Sequence, residues 1–259
     1  MNRNYIKLDN DTLSSLAFSL TEKNGKTYIS MARGATAGDV AFVSPACVTH
    51  WPRVSGDGNF GTMWGPTDIS KAKYNLDLTD AQINGQLNEG WETLKTALDK
   101  IDDSLLDFVQ ANQLKILGRK NLSRDECKML QIRAVKPKYD KQAGHLTGHS
   151  FQLNTSKFSW DGMGGKYEKK INICDHTGAV LPSGGVAPGD VVAATVHCAS
   201  VYCGVGGDKF GISWGFDDVQ IVCQRSKLEV KNHVSAFSGN TYQFAQDYQF
   251  SDLTVEVPS

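Results

Sequence analysis

Val191-Val-Ala-Ala-Thr-Val-His-Cys-Ala-Ser-Val-Tyr202, followed after Gly204-Val-Gly-Gly-Asp208 by Phe210-Gly-Ile-Ser-Trp-Gly-Phe-Asp-Asp-Val-Gln-Ile-Val-Cys223, is the stretch on which the fold turns. Both runs are rich in β-branched and aromatic residues, the composition of strands. The glycines between them are hairpin chemistry. Along the second run Phe210, Ile212, Trp214 and Phe216 alternate, so one face is apolar and at least part of that row belongs to a core. Residues 191–202 and 210–223 are therefore expected to be partner strands.

Upstream of this pair, residues 150–158 and 169–174 also read with period two. Between them lies Trp160-Asp-Gly-Met-Gly-Gly-Lys-Tyr167, a glycine-rich loop. Several short strands joined by such turns predict a small closed or nearly closed barrel. Before the strands the period changes. Trp91, Leu94, Leu98, Ile101, Leu105, Phe108 and Val109 recur every three or four residues, the stripe of an amphipathic helix. Thr79 or Asp80 can cap that helical region, and Gly118 supplies its stop. Ser123 and Glu126 form the pattern of a capping box, which predicts a short helix to about Arg133, ended by Pro137. Toward the N-terminus the chain is less hydrophobic. Residues 27–31 and 40–48 read as strands, residues 50–75 as loop, and residues 75–78 as another short strand.

The chain has 259 residues and a formal net charge of −1, but the charge is segregated. Residues 115–170 carry 13 basic and 5 acidic side chains, nearly half of the 27 bases in the protein. Such a window attracts a polyanion or an acidic partner, or is a solvated basic face. No run of 18 apolar residues exists, and Met1 to Asp11 holds no apolar signal core, so neither a membrane span nor secretion is expected. The six cysteines show no CxxC spacing and are expected as thiols.

Catalytic motifs fail their context tests. Gly56, Gly58 and Gly61 spell GxGxxG, but no apolar strand precedes them and Pro66 falls where a helix should open. His145 and His149 lack the Glu of a zincin helix. His197 and Cys198 are adjacent on a strand and so face opposite sides, which disfavours a shared metal. The acid pairs Asp102-Asp103 and Asp217-Asp218 are adjacent rather than arranged as an acid/base dyad. No cofactor, no metal and no enzymatic activity is expected.

What remains is the mixing of flat rings with bases. Trp160 and Tyr167 share the basic window with Lys157, Lys166, Lys169 and Lys170, while Tyr202, Lys209, Phe210 and Trp214 surround the glycine hairpin. Rings stack on unpaired bases and cations track phosphates, without need of sequence specificity. Trp160 and Tyr167 fit either a ligand-facing or a packed position, and Trp214 fits a core position better than an exposed one.

The order Pro188-Gly189-Asp190, long strand, glycine hairpin, Lys209-Phe-Gly-Ile-Ser213, then Val219-Gln-Ile-Val222 resembles the closing strands of the OB-fold single-stranded DNA-binding proteins of large DNA viruses, similar to those of podophages. The resemblance covers roughly residues 75–225. It implies an α+β protein: a five-stranded, mostly antiparallel OB-like β-barrel with flanking helices and a β-rich N-terminal extension. Its parts would be the extension at 1–74, a nucleic-acid-binding core at 75–243 with a helical insertion at 79–133, and a short acidic tail at 244–259. It further implies sequence-independent, non-catalytic binding of single-stranded DNA in viral replication, recombination or repair. The work would be done inside the host cell, in nucleus or cytoplasm, or by protein packaged in the virion. A viral DNA polymerase or other replication protein and a second copy of the chain are the implied protein partners. The expected interface is Arg119, Lys120, Lys136, Lys138, Lys157, Trp160, Lys166, Tyr167, Lys169, Lys170, Tyr202, Lys209, Phe210 and Trp214. The family's strongly acidic tail with a terminal aromatic is not matched: residues 244–259 hold only Asp247, Asp252 and Glu256 as acids and end Val-Pro-Ser. A structural virion protein is the main alternative reading, and a metal-dependent nuclease the second.

Overall fold

The computed structural model describes residues 5–23, 26–33, 40–49, 73–83, 88–140, 143–156, 158–160, 165–168, 171–181, 186–187, 189–203 and 208–224. The two quoted runs are strands β12 (Val191–Cys203) and β13 (Phe210–Cys223), paired antiparallel from Val191 opposite Cys223 to Cys203 opposite Phe210. The ladder between them has three register irregularities, the sites at which a long pair bends. β12 is the hub of the sheet. Besides β13 it pairs with β2 (Lys26–Arg33), β3 (Ala41–Val43) and β4 (Cys47–Thr49).

From β4 the sheet continues through β5 (Lys73–Thr79) and β8 (Leu146–Ser156) to β7 (Val135–Tyr139). At the other end, β1 (Leu16–Lys23) pairs with β2 alone among the described residues. On the far side of β13 run β6 (Gln131–Ile132) and β11 (Asn172–Cys174), both parallel to it. The result, among the described residues, is one sheet of eleven strands, mostly antiparallel, where a five-stranded barrel was expected.

The ladder does not close into a ring. Among the described residues β8 and β13 lie side by side without a shared ladder, and the side chain of Thr155 spans the gap. The Thr155 hydroxyl donates to the Phe216 carbonyl at 2.7 Å and accepts from the Phe216 amide at 2.8 Å. Strands β12, β4, β5, β8 and β13 thus wrap one core, with a side-chain stitch where a fifth ladder would be.

That core is plugged by α2 (Glu89–Ala111). The expected stripe is there: Trp91, Leu94, Leu98, Ile101, Leu105 and Val109 are buried, while Phe108 is half-buried against Phe18 of β1, with ring centroids 5.8 Å apart. Ile6, Leu8, Ile29 and Met31 from the N-terminal part join the same core. The helix starts later than Thr79 or Asp80 would have it. Its N-cap is Asn88, whose side chain accepts from the Trp91 amide at 3.1 Å. Thr79 ends β5, and Asp80 instead accepts from the His149 amide at 2.8 Å, a link across 69 residues.

After α2 come α3 (Gln113–Leu117), ended by Gly118 at φ 66°, and α4 (Arg124–Leu130), opened by the Ser123–Glu126 capping box. Pro137 does not end that helix. It sits in edge strand β7 opposite His149, where the missing N–H can face solvent. The helix stops at Leu130 because the chain is needed as β6, beside Phe210 and Gly211. That approach is close: a Cβ on Gly211 would lie 2.6 Å from the Ile132 carbonyl oxygen and 3.0 Å from the Tyr202 hydroxyl. Gly211→Ala is therefore expected to push β6 off β13 and cost about 1–3 kcal/mol. Urea denaturation reads this directly, and an unchanged midpoint would refute the close approach.

Candidate nucleic-acid interface

Part of the basic window is neutralised in space. Arg133 reaches back to α2, with its guanidinium 2.9 Å from Asp99 and 3.1 Å from Asp103, and Nε 3.9 Å from buried Asp102. Arg124 pairs with Asp107 at 2.8 Å. Arg119 pairs with Asp208 at 3.4 Å, tying the α3–α4 turn to the start of the run into β13. Lys138 lies 3.6 Å from Asp77, and burial is the main cause lowering its pKa, opposed by the Asp77 charge. A positive segment in sequence is thus partly an internal set of ion pairs. Arg119 and Lys138 are correspondingly weaker phosphate ligands than their place in the window implied.

The lysines that keep their charge available are Lys115, Lys120, Lys128 and Lys136, and Lys209 beyond the window. All five are exposed, and no ion pair engages them among the described residues. Lys120 and Lys209 each follow directly on a member of the Arg119–Asp208 pair, so the fold brings two separated stretches of sequence to one end of the β12–β13 hairpin.

The rings divide differently from the expectation. Phe210 and Trp214 are core residues, 0% and 2% exposed. Trp214 packs edge-on against Phe42 at 5.6 Å and Phe151 at 6.1 Å between centroids. Neither can stack on a base. Tyr202 is half-buried, with its hydroxyl set against Gly211 and its pKa raised by burial and by the charge of Asp102. Tyr167, by contrast, is 50% exposed. It lies on a small separate ribbon of β9 (Phe158–Trp160) and β10 (Lys166–Glu168). There Lys166 is opposite Trp160, and Tyr167 is opposite Ser159. Lys157, Lys169 and Lys170 lie outside the described residues.

One ring was missed. Tyr139 at the end of β7 is 60% exposed, next to Lys138 and three residues from exposed Lys136. It lies opposite Leu146, itself 51% exposed. The sequence signal was present, a tyrosine among lysines, but reading Pro137 as a helix end hid the strand.

The acids singled out as poor catalytic pairs have protein partners. Asp102 accepts from the Ala134 amide at 2.8 Å, Asp217 lies 3.2 Å from His197, and Asp218 accepts from Asn172 at 2.8 Å. They are tied into the fold.

No family model matches the chain, and no curated protein matches it in sequence. Among solved structures, it is similar to gp2.5, a single-stranded DNA-binding protein encoded by bacteriophage T7, at 9% identity over 77% of this chain and 98% of that one, with a TM-score of 0.49. It is also similar to the single-stranded DNA-binding protein of bacteriophage Enc34 in a C-terminally truncated form, at 10% identity over 82% and 96% of the chains, TM-score 0.42. The same phage protein in complex with single-stranded DNA is 11% identical over 81% and 96%, TM-score 0.39.

Proposed function

We propose that the protein binds single-stranded DNA through its backbone charge and base faces, without sequence preference and without catalysis. The observation that carries this reading is the exposed ring of Tyr139 on the edge strand β7, which also carries exposed Lys136 three residues earlier. A large flat side chain kept in water on the same short strand as an unneutralised cation suits a ligand with both π-faces and phosphates. Tyr167 offers a second ring, and Lys120 and Lys209 a second cationic point. On this reading the stitched sheet is an OB-like barrel. The protein coats strands exposed during replication, recombination or repair of a viral genome, in contact with the replication machinery and at the viral replication site in the host.

The test is an anisotropy titration with oligo-dT at several salt concentrations. Replacing Lys120, Lys136 and Lys209 by Ala is expected to shallow the log–log salt slope by about 2, since each phosphate contact on a single strand contributes about 0.7. Replacing Tyr139 and Tyr167 by Ala is expected to weaken binding roughly tenfold or more per ring, with the slope unchanged. No binding at low salt, or binding indifferent to all five changes, would overturn the reading.

A further inference from the structure

The three arginine pairs are not equally tight. Arg133 is shared among Asp99, Asp102 and Asp103, and Arg124 Nε lies 2.8 Å from Asp107. Arg119 makes a single contact among the described residues, from Nη2 to Asp208 Oδ1 at 3.4 Å. Both side chains of that pair stand in water, Arg119 43% and Asp208 75% exposed. An ion pair so long and so wet contributes little and opens easily. It also leaves most of the donor fork of the guanidinium unused.

The surroundings of the pair are cationic. Lys120 and Lys209, each next in sequence to one of its members, are exposed and carry no ion pair among the described residues. The turn that bears Arg119 and Lys120 has a fixed shape. It runs between Gly118 at φ 66° and Asn121 at φ 60°, and the Gln113 side chain accepts from the Leu122 amide at 2.7 Å just beyond it. Glycine and asparagine are the residues that take positive φ at least cost. Two cations on a braced turn thus meet a third from the run into β13, and the acid set among them is Asp208. We propose that Asp208 is a built-in competitor of phosphate at Arg119: it holds the guanidinium in the free protein and yields it to a phosphate group of a bound strand. The inference rests on the nucleic-acid reading and adds to it a residue that restrains affinity. A phosphate presents two oxygens to the fork at once, whereas the hydrogen bond to Asp208 uses one nitrogen and one oxygen. Asp208 is already in water, so its release uncovers no buried charge. Its carboxylate stays close by after the exchange and opposes the phosphates, which limits how firmly the Lys120–Lys209 end of the interface holds a strand.

The experiment uses the full chain with Asp208→Asn, alone and combined with Arg119→Ala, in two titrations. Both side chains are exposed, and circular dichroism checks that the variants fold. In the first, oligo-dT is titrated by anisotropy over a salt series. Asp208→Asn is expected to tighten binding about five- to tenfold at about 50 mM salt and to steepen the log–log slope by about 0.7, one further net phosphate contact. Adding Arg119→Ala is expected to remove both gains, whereas Lys136→Ala on β7 weakens both forms alike. Unchanged or weaker binding by Asp208→Asn, or a gain that survives Arg119→Ala, would overturn the proposal. In the second, sodium tripolyphosphate is added without nucleic acid, and the arginine Nε–H resonances are followed by NMR. The Arg119 resonance is expected to move, at several-fold lower concentration in Asp208→Asn than in the wild type, while that of Arg133 stays. An Arg119 resonance indifferent to tripolyphosphate in both forms would overturn the exchange. A wild-type protein that ignores oligo-dT while Arg119 responds as expected would support the exchange and refute the nucleic-acid reading alone.

Discussion

Asp102→Asn is expected to remove a pH-dependent loss of stability worth roughly 4 kcal/mol between about pH 4 and pH 8. The Asp102 carboxyl is 1% exposed, and burial pushes its pKa from the ordinary 3.8 up to about 7. The Ala134 amide and the Arg133 charge pull the other way, and Asp99 and Asp103 add to the rise. In the unfolded chain the group ionises near its ordinary value. Between the two values the folded protein holds a proton that the unfolded chain has lost, so raising the pH favours unfolding. The stabilisation is full below about pH 4 and gone once the pH has risen through 7. Asn keeps an oxygen to accept from the Ala134 amide and never ionises. Urea unfolding of both proteins at about pH 4.5, 6 and 8 measures the difference in slope. Asp218, also raised by burial, titrates alike in both and cancels. Parallel stability curves would show that Asp102 does not resist ionisation.

Thr155→Val is expected to destabilise the fold by about 2–4 kcal/mol. The side chain is 3% exposed, and its hydroxyl makes two hydrogen bonds to the Phe216 backbone. Valine has the same shape, so packing is preserved while both bonds are lost between buried groups, each worth about 1–2 kcal/mol. Thr155→Ser restores the hydroxyl and is expected to recover most of the loss. A valine variant with the wild-type denaturation midpoint would mean that β8 and β13 are held together by packing alone.

What could be read from the residues follows the range of the forces involved. β12 and β13, the α2 stripe and the Ser123–Glu126 box are local patterns, and each formed within a residue or two of its expected place. Asn24-Gly25 was equally local and was overlooked. Those two residues separate Lys23 from Lys26, which pair, and Asn-Gly between alternating apolar residues is a strong hairpin signal. Other features depend on contacts between distant parts of the chain. Asp80 had the chemistry of a helix cap, but His149 on a neighbouring strand took its carboxylate. Trp214 stood among the interface residues although its place in the alternating row favoured the core, and Phe42 and Phe151 do enclose it there. The charge window was real, yet its neutralisation by Asp77, Asp99, Asp103, Asp107 and Asp208 depended on a helix and strands folding back against it.

Within that window the arginines and four of the lysines have separate jobs, while Lys138, beside Asp77, sides with the arginines. Arg119, Arg124 and Arg133 all hold carboxylates of the same molecule, as suits a planar fork of donors. Lys115, Lys120, Lys128 and Lys136 extend into water. Exchanging arginine for lysine would therefore strike at the scaffold, and exchanging lysine for arginine at the surface would leave the scaffold alone. A chain diverging from this one under constant demand for a cationic exterior is free to shuffle these four lysines among neighbouring exposed positions, whereas Arg119, Arg124 and Arg133 are each bound to a particular acid and are replaceable only together with it.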